Sequence, residues 1–282
     1  MPQPRPSLDA RASTLVPAAT APAEYLCVDH LQRSFQTAAG RVPALGDISL
    51  RVEPRSFVSI VGPSGCGKST LLQIIAGLLP PSGGEVRFKG NPVRQPPREI
   101  IYVFQQYTKS IFPWLTILGN VAFGLKHREQ LPRDELEARC RDYIRLVGLQ
   151  GFERYYPYQL SGGMQQRVAI ARALVCQPEV LLMDEPFSSL DALTRAHLQQ
   201  LLLRLWAELK ITVLFVTHDI EEAIYLSQRV VVLSRSPATV GEDIVIDLPY
   251  PRSQISTKEH PRYLEHRHRV LGEILGEEGV PA

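Results

Sequence analysis

At 282 residues the chain has room for one large α/β domain or two small ones, with material for a buried core. Its composition, 44% hydrophobic, 21% charged and 7% aromatic, is that of an ordinary soluble globular protein, and a net charge of +2 singles out neither nucleic acid nor an anionic membrane as partner. Four cysteines (Cys27, Cys66, Cys140, Cys176) lie far apart without metal-ligand spacing, which fits free thiols in a reducing compartment rather than a disulfide framework.

The Pro/Ala-rich residues 1–24 lack the apolar run of a secretory signal and predict a disordered tail. No stretch has the length of a membrane-spanning helix, so a cytosolic chain is expected. Strands are expected over Tyr25–His30, Ile48–Val52, Phe57–Val61, Glu85–Lys89 and Ile100–Phe104. A helix over Lys68–Leu79 is closed by Pro80 and Pro81. Leu118–Lys126 and the amphipathic Asp134–Val147 predict a helical insert at about 106–178. Val180–Met183 reads as a strand buried in a parallel sheet. A helix marked by Leu198, Leu201, Leu202, Leu205 and Leu209 follows, then strands Ile211–Val216 and Val230–Leu233. After Ser234 the pattern weakens, with a closing helix over Tyr263–Leu275. The expected organisation is an α/β domain over 25–252, with a β-rich N-terminal lobe and a helical insert, followed by an extension over 253–282.

Three motifs carry chemistry. In GPSGCGKST, Gly62, Pro63, Ser64, Gly65, Cys66, Gly67, Lys68, Ser69 and Thr70 satisfy the phosphate-binding GxxxxGK[ST] pattern between a strand and a helix. The glycines let successive N–H groups turn toward phosphate oxygens, and the helix adds its positive N-terminal end. Lys68 brings charge to the terminal phosphates and Ser69 a hydroxyl to Mg²⁺. Cys66 reads as a small side chain that the loop tolerates, although a helix start can also lower a thiol pKa. In LLMDEP, Asp184 and Glu185 end a strand at the sheet edge where ligands of such folds bind. Asp184 is the candidate Mg²⁺ ligand and Glu185 the base for an attacking water. In LSGGMQQR, Ser161, Gly162 and Gly163 open a second Gly-rich helix N-terminus.

LSGGMQQR resembles the signature of the ABC ATPases, and the resemblance spans nearly all of Tyr25–Arg252. It implies the ABC ATPase fold: a P-loop NTPase core with an antiparallel β lobe and a helical insert. It also implies hydrolysis of ATP with Mg²⁺. Phe35 is similar to the aromatic that stacks on adenine, and Gln105 to the glutamine that senses Mg²⁺ and the γ-phosphate. Asp191 is similar to the residue that communicates across the dimer, and His218 to the switch histidine at the γ-phosphate. The family implies a homodimer in which each signature loop serves the partner's ATP. FPWLT, NVAFGL, EAIYLSQRVVVLS and LPYPR resemble the ATPase subunits of nitrate, sulfonate and taurine importers. Expected partners are therefore two transmembrane permease subunits and a periplasmic or extracellular substrate-binding protein, with no nucleic acid. The expected location is peripheral, on the cytoplasmic face of the bacterial inner membrane.

Arg55-Ser56 stands where the family has Gly-Glu, and QYTKSIF after Gln105 is slightly long. His260, His266 and His268 read as a solvated charged face rather than a metal site. Phe112–Leu115 reads either as core or as an aromatic anchor for a permease. A soluble ABC ATPase acting on nucleic acid or ribosomes would carry two cassettes or a long coiled coil, and a P-loop kinase would not need LSGGMQQR.

Overall fold

The computed structural model describes residues 25–38, 40–105, 110–126 and 128–276. Strand β1 (Leu26–Thr37) pairs antiparallel with β2 (Gly40–Val52) and β4 (Gly83–Phe88), and β5 (Asn91–Pro92) completes a four-stranded sheet in the order β2-β1-β4-β5. The second sheet has six strands. It combines β3 (Phe57–Val61), β6 (Ile100–Val103), β7 (Val180–Asp184), β8 (Thr212–Val216), β9 (Arg229–Leu233) and β10 (Val240–Val245) in the order β10-β9-β3-β8-β7-β6. All its pairings are parallel except that of the edge strand β10. The fold is thus an antiparallel lobe beside a largely parallel core, the two-lobed α/β organisation expected.

The inner strands β3, β7 and β8 are buried on both faces because their sequences are almost continuously apolar. In β7, Leu181 and Met183 enter one core while Val180 and Leu182 enter the other, and β8 divides Val213 and Phe215 from Leu214 and Val216 in the same way. The first core receives the helices α2 (Ile117–Lys126), α3 (Arg133–Leu146), α4 (Gly162–Leu174), α5 (Ala192–Leu209), α6 (Ile220–Leu226) and α7 (Pro261–Leu275). The second lies against α1 (Lys68–Ile75) and the four-stranded sheet.

Several elements differ from the sequence reading. The first two strands run on as a long hairpin, with Phe35 paired to Val42. Helix α1 stops at Ile75 rather than Leu79, because Gly77 turns to φ 70° and donates its N–H to the Ile74 carbonyl. β10 forms where the pattern weakens, as an edge strand with alternating exposure. In the histidine-rich helix His260 and His268 are exposed as expected, whereas His266 is half-buried against a carboxylate. His266 Nε2 meets Asp247 Oδ1 at 2.7 Å, and the His260 ring caps α7 by accepting from the Arg262 N–H. Residues 1–24, the four positions after Gln105 and the last six residues lie outside the described residues, and with them the tail, the QYTK part of the long segment and the end of the extension. Among the described residues no helix is long and apolar enough to cross a membrane.

Candidate nucleotide site

The strand order explains why motifs far apart in sequence converge. β3, β8, β7 and β6 are adjacent and parallel, so their C-terminal ends share one edge. β3 delivers the loop from Gly62, β8 delivers His218, β7 ends on Asp184 and Glu185, and Gln105 follows β6.

The loop wraps the start of α1. Gly67 caps that helix at φ 110°, a backbone that strains any residue with a Cβ, and a Cβ there would also press on Leu45 Cδ2 at 2.7 Å. Lys68 is buried, and its Nζ donates to the carbonyls of Gly62 (2.8 Å) and Pro63 (2.9 Å). Among the described residues no carboxylate lies within ion-pair distance of it, and besides the two carbonyls its Nζ has Cys66 Sγ at 4.0 Å. Cys66 is buried beside it, and burial pushes the thiol pKa up, opposed by the Lys68 charge. That direction disfavours the thiolate and agrees with a side chain that simply fits the loop. Pro63, Ser64, Gly65 and Cys66 line a cleft with Arg235 and Ser236, and Thr70 lies in the first turn of α1.

Ser69 Oγ donates to Asp184 Oδ1 (2.9 Å), and the Tyr102 hydroxyl donates to Oδ2 (2.8 Å). Burial raises the Asp184 pKa, while the two hydroxyl donors pull it down. The Tyr102 hydroxyl is pushed far up by burial, then by the adjacent Asp184 charge, so it remains a donor. Tyr102 was not foreseen; its only sequence signal is an aromatic hydroxyl three residues before Gln105.

Glu185 turns out of β7 with φ 42°, an unusual backbone for a residue with a Cβ. Its Oε2 accepts from Gln105 Nε2 (3.0 Å) and meets His218 Nδ1 (3.0 Å). Three residues singled out on separate segments are therefore in direct contact.

The remaining candidates lie elsewhere. Ser161 caps α4 by accepting from the Met164 N–H at 3.3 Å, and both Ser161 and Gly162 are exposed. Gly163 is buried against α5, where a Cβ would come within 2.4 Å of Thr194 Cγ2. Asp191 caps α5 through the Thr194 N–H (2.9 Å), and that hydrogen bond holds its pKa low. Phe35 is half-buried on the antiparallel sheet with the Arg33 guanidinium 4.7 Å from its ring centre.

Asn120, within α2, is fully buried and fixes the preceding turn that carries the aromatic cluster. Its Oδ1 accepts from the Phe112 N–H (2.8 Å), and its Nδ2 donates to the carbonyls of Phe112 (3.0 Å), Leu115 (3.1 Å) and Thr116 (3.1 Å). Trp114 is 71% exposed, which answers the core reading of this segment for that residue.

The residues fit a nucleotide with a divalent cation. An N–H-rich loop with an unneutralised lysine suits phosphate, and the adjacent oxygens of Ser69 and Asp184 suit a hard ion. No cluster of three or more His, Cys, Asp or Glu forms a separate metal site among the described residues.

Comparison with known proteins agrees. A family model described as ABC transporter matches residues 45–188. An uncharacterized ABC transporter ATP-binding protein of Methanocaldococcus jannaschii is 49% identical over 253 residues, covering 90% of this chain and 92% of that one. The aliphatic sulfonates import ATP-binding protein SsuB of Bacillus cereus is 44% identical over 244 residues, covering 86% and 93%. Among solved structures, a dimeric bacterial ABC transporter cassette superposes with a TM-score of 0.70 at 34% identity, covering 78% of this chain and 98% of that chain.

Proposed function

The chain belongs to the ABC transporter ATP-binding family, whose members hydrolyse ATP, and from that premise we propose that it powers an importer of a small anion such as a sulfonate, nitrate or taurine. The observation that carries the site assignment is the convergence of Gln105 and His218 on one oxygen of Glu185, next to the Asp184–Ser69 pair. Glu185 takes the proton of the attacking water, and Gln105 and His218 hold its carboxylate toward the phosphate. Lys68 leaves the loop carbonyls to meet the terminal phosphates, while the loop N–H groups orient them. Ser69 and Asp184, with Gln105, would hold Mg²⁺, which would supply neutralisation of the phosphate charge. Phe35 stacks on the adenine.

The ATP-bound form is a homodimer in which Ser161, Gly162 and Gly163 of one chain close over the partner's nucleotide, with Asp191 at the seam. The dimeric relative supports this arrangement. Two permease subunits dock on the helical insert, the exposed Trp114 serving as an anchor, and an external binding protein supplies the solute. The chain thereby sits peripherally at the cytoplasmic face of the membrane. Likeness to the sulfonate importer protein supports the solute class.

Reconstitution with its permease, tested across sulfonates and inorganic anions, checks both solute and docking. One solute class should stimulate hydrolysis. Trp114→Ala should keep the basal ATPase of the isolated chain within about twofold and reduce transport by about tenfold or more. Unaltered transport, or a large loss of melting temperature in the isolated chain, removes Trp114 from the docking surface.

A further inference from the structure

Beside the hydrolytic centre lies a chain of buried polar groups that the proposed chemistry does not use. Glu222 in α6 is 4% exposed. Its Oε2 accepts from the Thr217 hydroxyl (2.6 Å) and its Oε1 from Gln199 Nε2 in α5 (3.0 Å). Thr217 Oγ1 in turn accepts the Asp219 N–H (3.0 Å), closing a ring around the backbone of His218. Asp219 Oδ1 accepts the Glu222 N–H (3.1 Å), and its other oxygen pairs with Arg195 of α5 (3.2 Å). The loop bearing His218 is thus fixed on one side by the Glu222 carboxylate through Thr217 and on the other by the Asp219 carboxylate.

The other end of this chain lies in the C-terminal extension. Gln254 Nε2 donates to Gln199 Oε1 at 2.7 Å. The polarity follows from chemistry rather than from which amide atom is drawn as nitrogen. An ionised Glu222 only accepts, so Gln199 offers its Oε1 the NH₂ group; burial raises the Glu222 pKa, and the Thr217 and Gln199 donors oppose that rise. The Gln199 oxygen therefore faces Gln254, which must be a donor. If that donor is lost, the Gln199 oxygen loses this partner, and only the bond to Glu222 still orients its amide. The same extension grips α6 directly. The Tyr263 hydroxyl donates to the Glu221 carbonyl (3.0 Å), and Arg267 pairs with the Glu221 carboxylate (3.3 Å).

We infer that Gln254 is a positioning residue for hydrolysis: through Gln199 and Glu222 it sets the loop that carries His218, which makes the C-terminal extension part of the switch. This rests on the reading of His218 as a group acting at Glu185.

The test uses the full-length chain with Gln254→Leu, Gln254→Glu and Gln254→Lys, measuring kcat, ATP affinity and melting temperature, with His218→Ala in parallel. Gln254 is half-buried, so each side chain can be accommodated. Leu offers no donor, Glu only acceptors, and Lys a donor of similar reach. The Leu and Glu variants should lose about fivefold or more in kcat, the worth of one buried hydrogen bond, with ATP affinity within about twofold. The Lys variant should hold kcat within about twofold. A loss in all three, a loss in none, or a change in affinity in place of kcat overturns the inference. A His218→Ala chain that hydrolyses at the parent rate overturns the underlying reading instead, whatever the Gln254 variants do.

Discussion

Two glycine-rich loops lead into helix N-termini, and they are finished to different degrees. The loop from Gly62 to Lys68 is packed under Leu45, holds a buried cation on its own carbonyls, and has oxygens of Ser69 and Asp184 alongside. The loop at Ser161–Gly163 opens α4 to solvent, with Ser161 used only to cap its own helix. Both offer N–H groups and the positive end of a helix dipole to an anion. Only the first supplies a cation and metal ligands from the same chain. On the reading proposed above, the difference teaches that one chain contains a nearly whole site for the nucleotide and, separately, a fragment that would gain a role when a second chain brings phosphate to it.

The contrast breaks most severely at Glu185. Lys68→Ala should abolish nucleotide binding, whereas Glu185→Gln should keep binding and lower hydrolysis by about 10²–10⁴-fold. Equilibrium dialysis and phosphate release measure the two effects separately. Wild-type turnover in Glu185→Gln would remove it as the base.

A smaller effect sharpens the second loop. Glu185→Gln protein should pass from monomer to dimer on a sizing column when ATP is added. Adding Ser161→Arg should prevent this, because a bulky side chain then occupies the helix terminus meant for the partner's phosphate. An unchanged dimer would mean that the exposed loop has no part in association.

The smallest effect probes how dry the first loop is. Burial raises the Asp184 pKa, so folding holds that proton more tightly than the unfolded chain does. Its contribution to stability is therefore full below the ordinary aspartate range and declines as pH rises through the raised value. Asp184→Asn cancels that decline. The melting temperature of the variant relative to the parent should rise by about 1–3 °C between pH 4 and pH 7. A difference that stays flat with pH would show Asp184 to be solvated.

Much of this was legible because parallel strands announce themselves. FVSIV before the loop and LLMD before Glu185 are continuous apolar runs, and topology then forces their ends together. Element ends were less legible. Nothing in the apolar pattern of α1 marks Ile75 as its last residue, since the stop depends on the left-handed turn at Gly77. β10 was missed because half its residues face solvent at a sheet edge. Tyr102 and Glu222 were hidden for another reason: each reads locally as ordinary. A tyrosine in a strand and an acid in the first turn of a helix need no partner, and only the packed chain shows the first donating to Asp184 and the second buried between Thr217 and Gln199.

The four hydrogen bonds of Asn120 bear on how such a surface changes over generations. The turn over 112–116 keeps its shape through main-chain atoms held by one interior amide, not through the exposed Trp114 itself. Replacement at Trp114 therefore alters what the surface recognises without loosening the frame beneath it. On the docking reading proposed above, exchanging that side chain would change the membrane partner, while the hydrogen bonds of Asn120 would keep the turn in place.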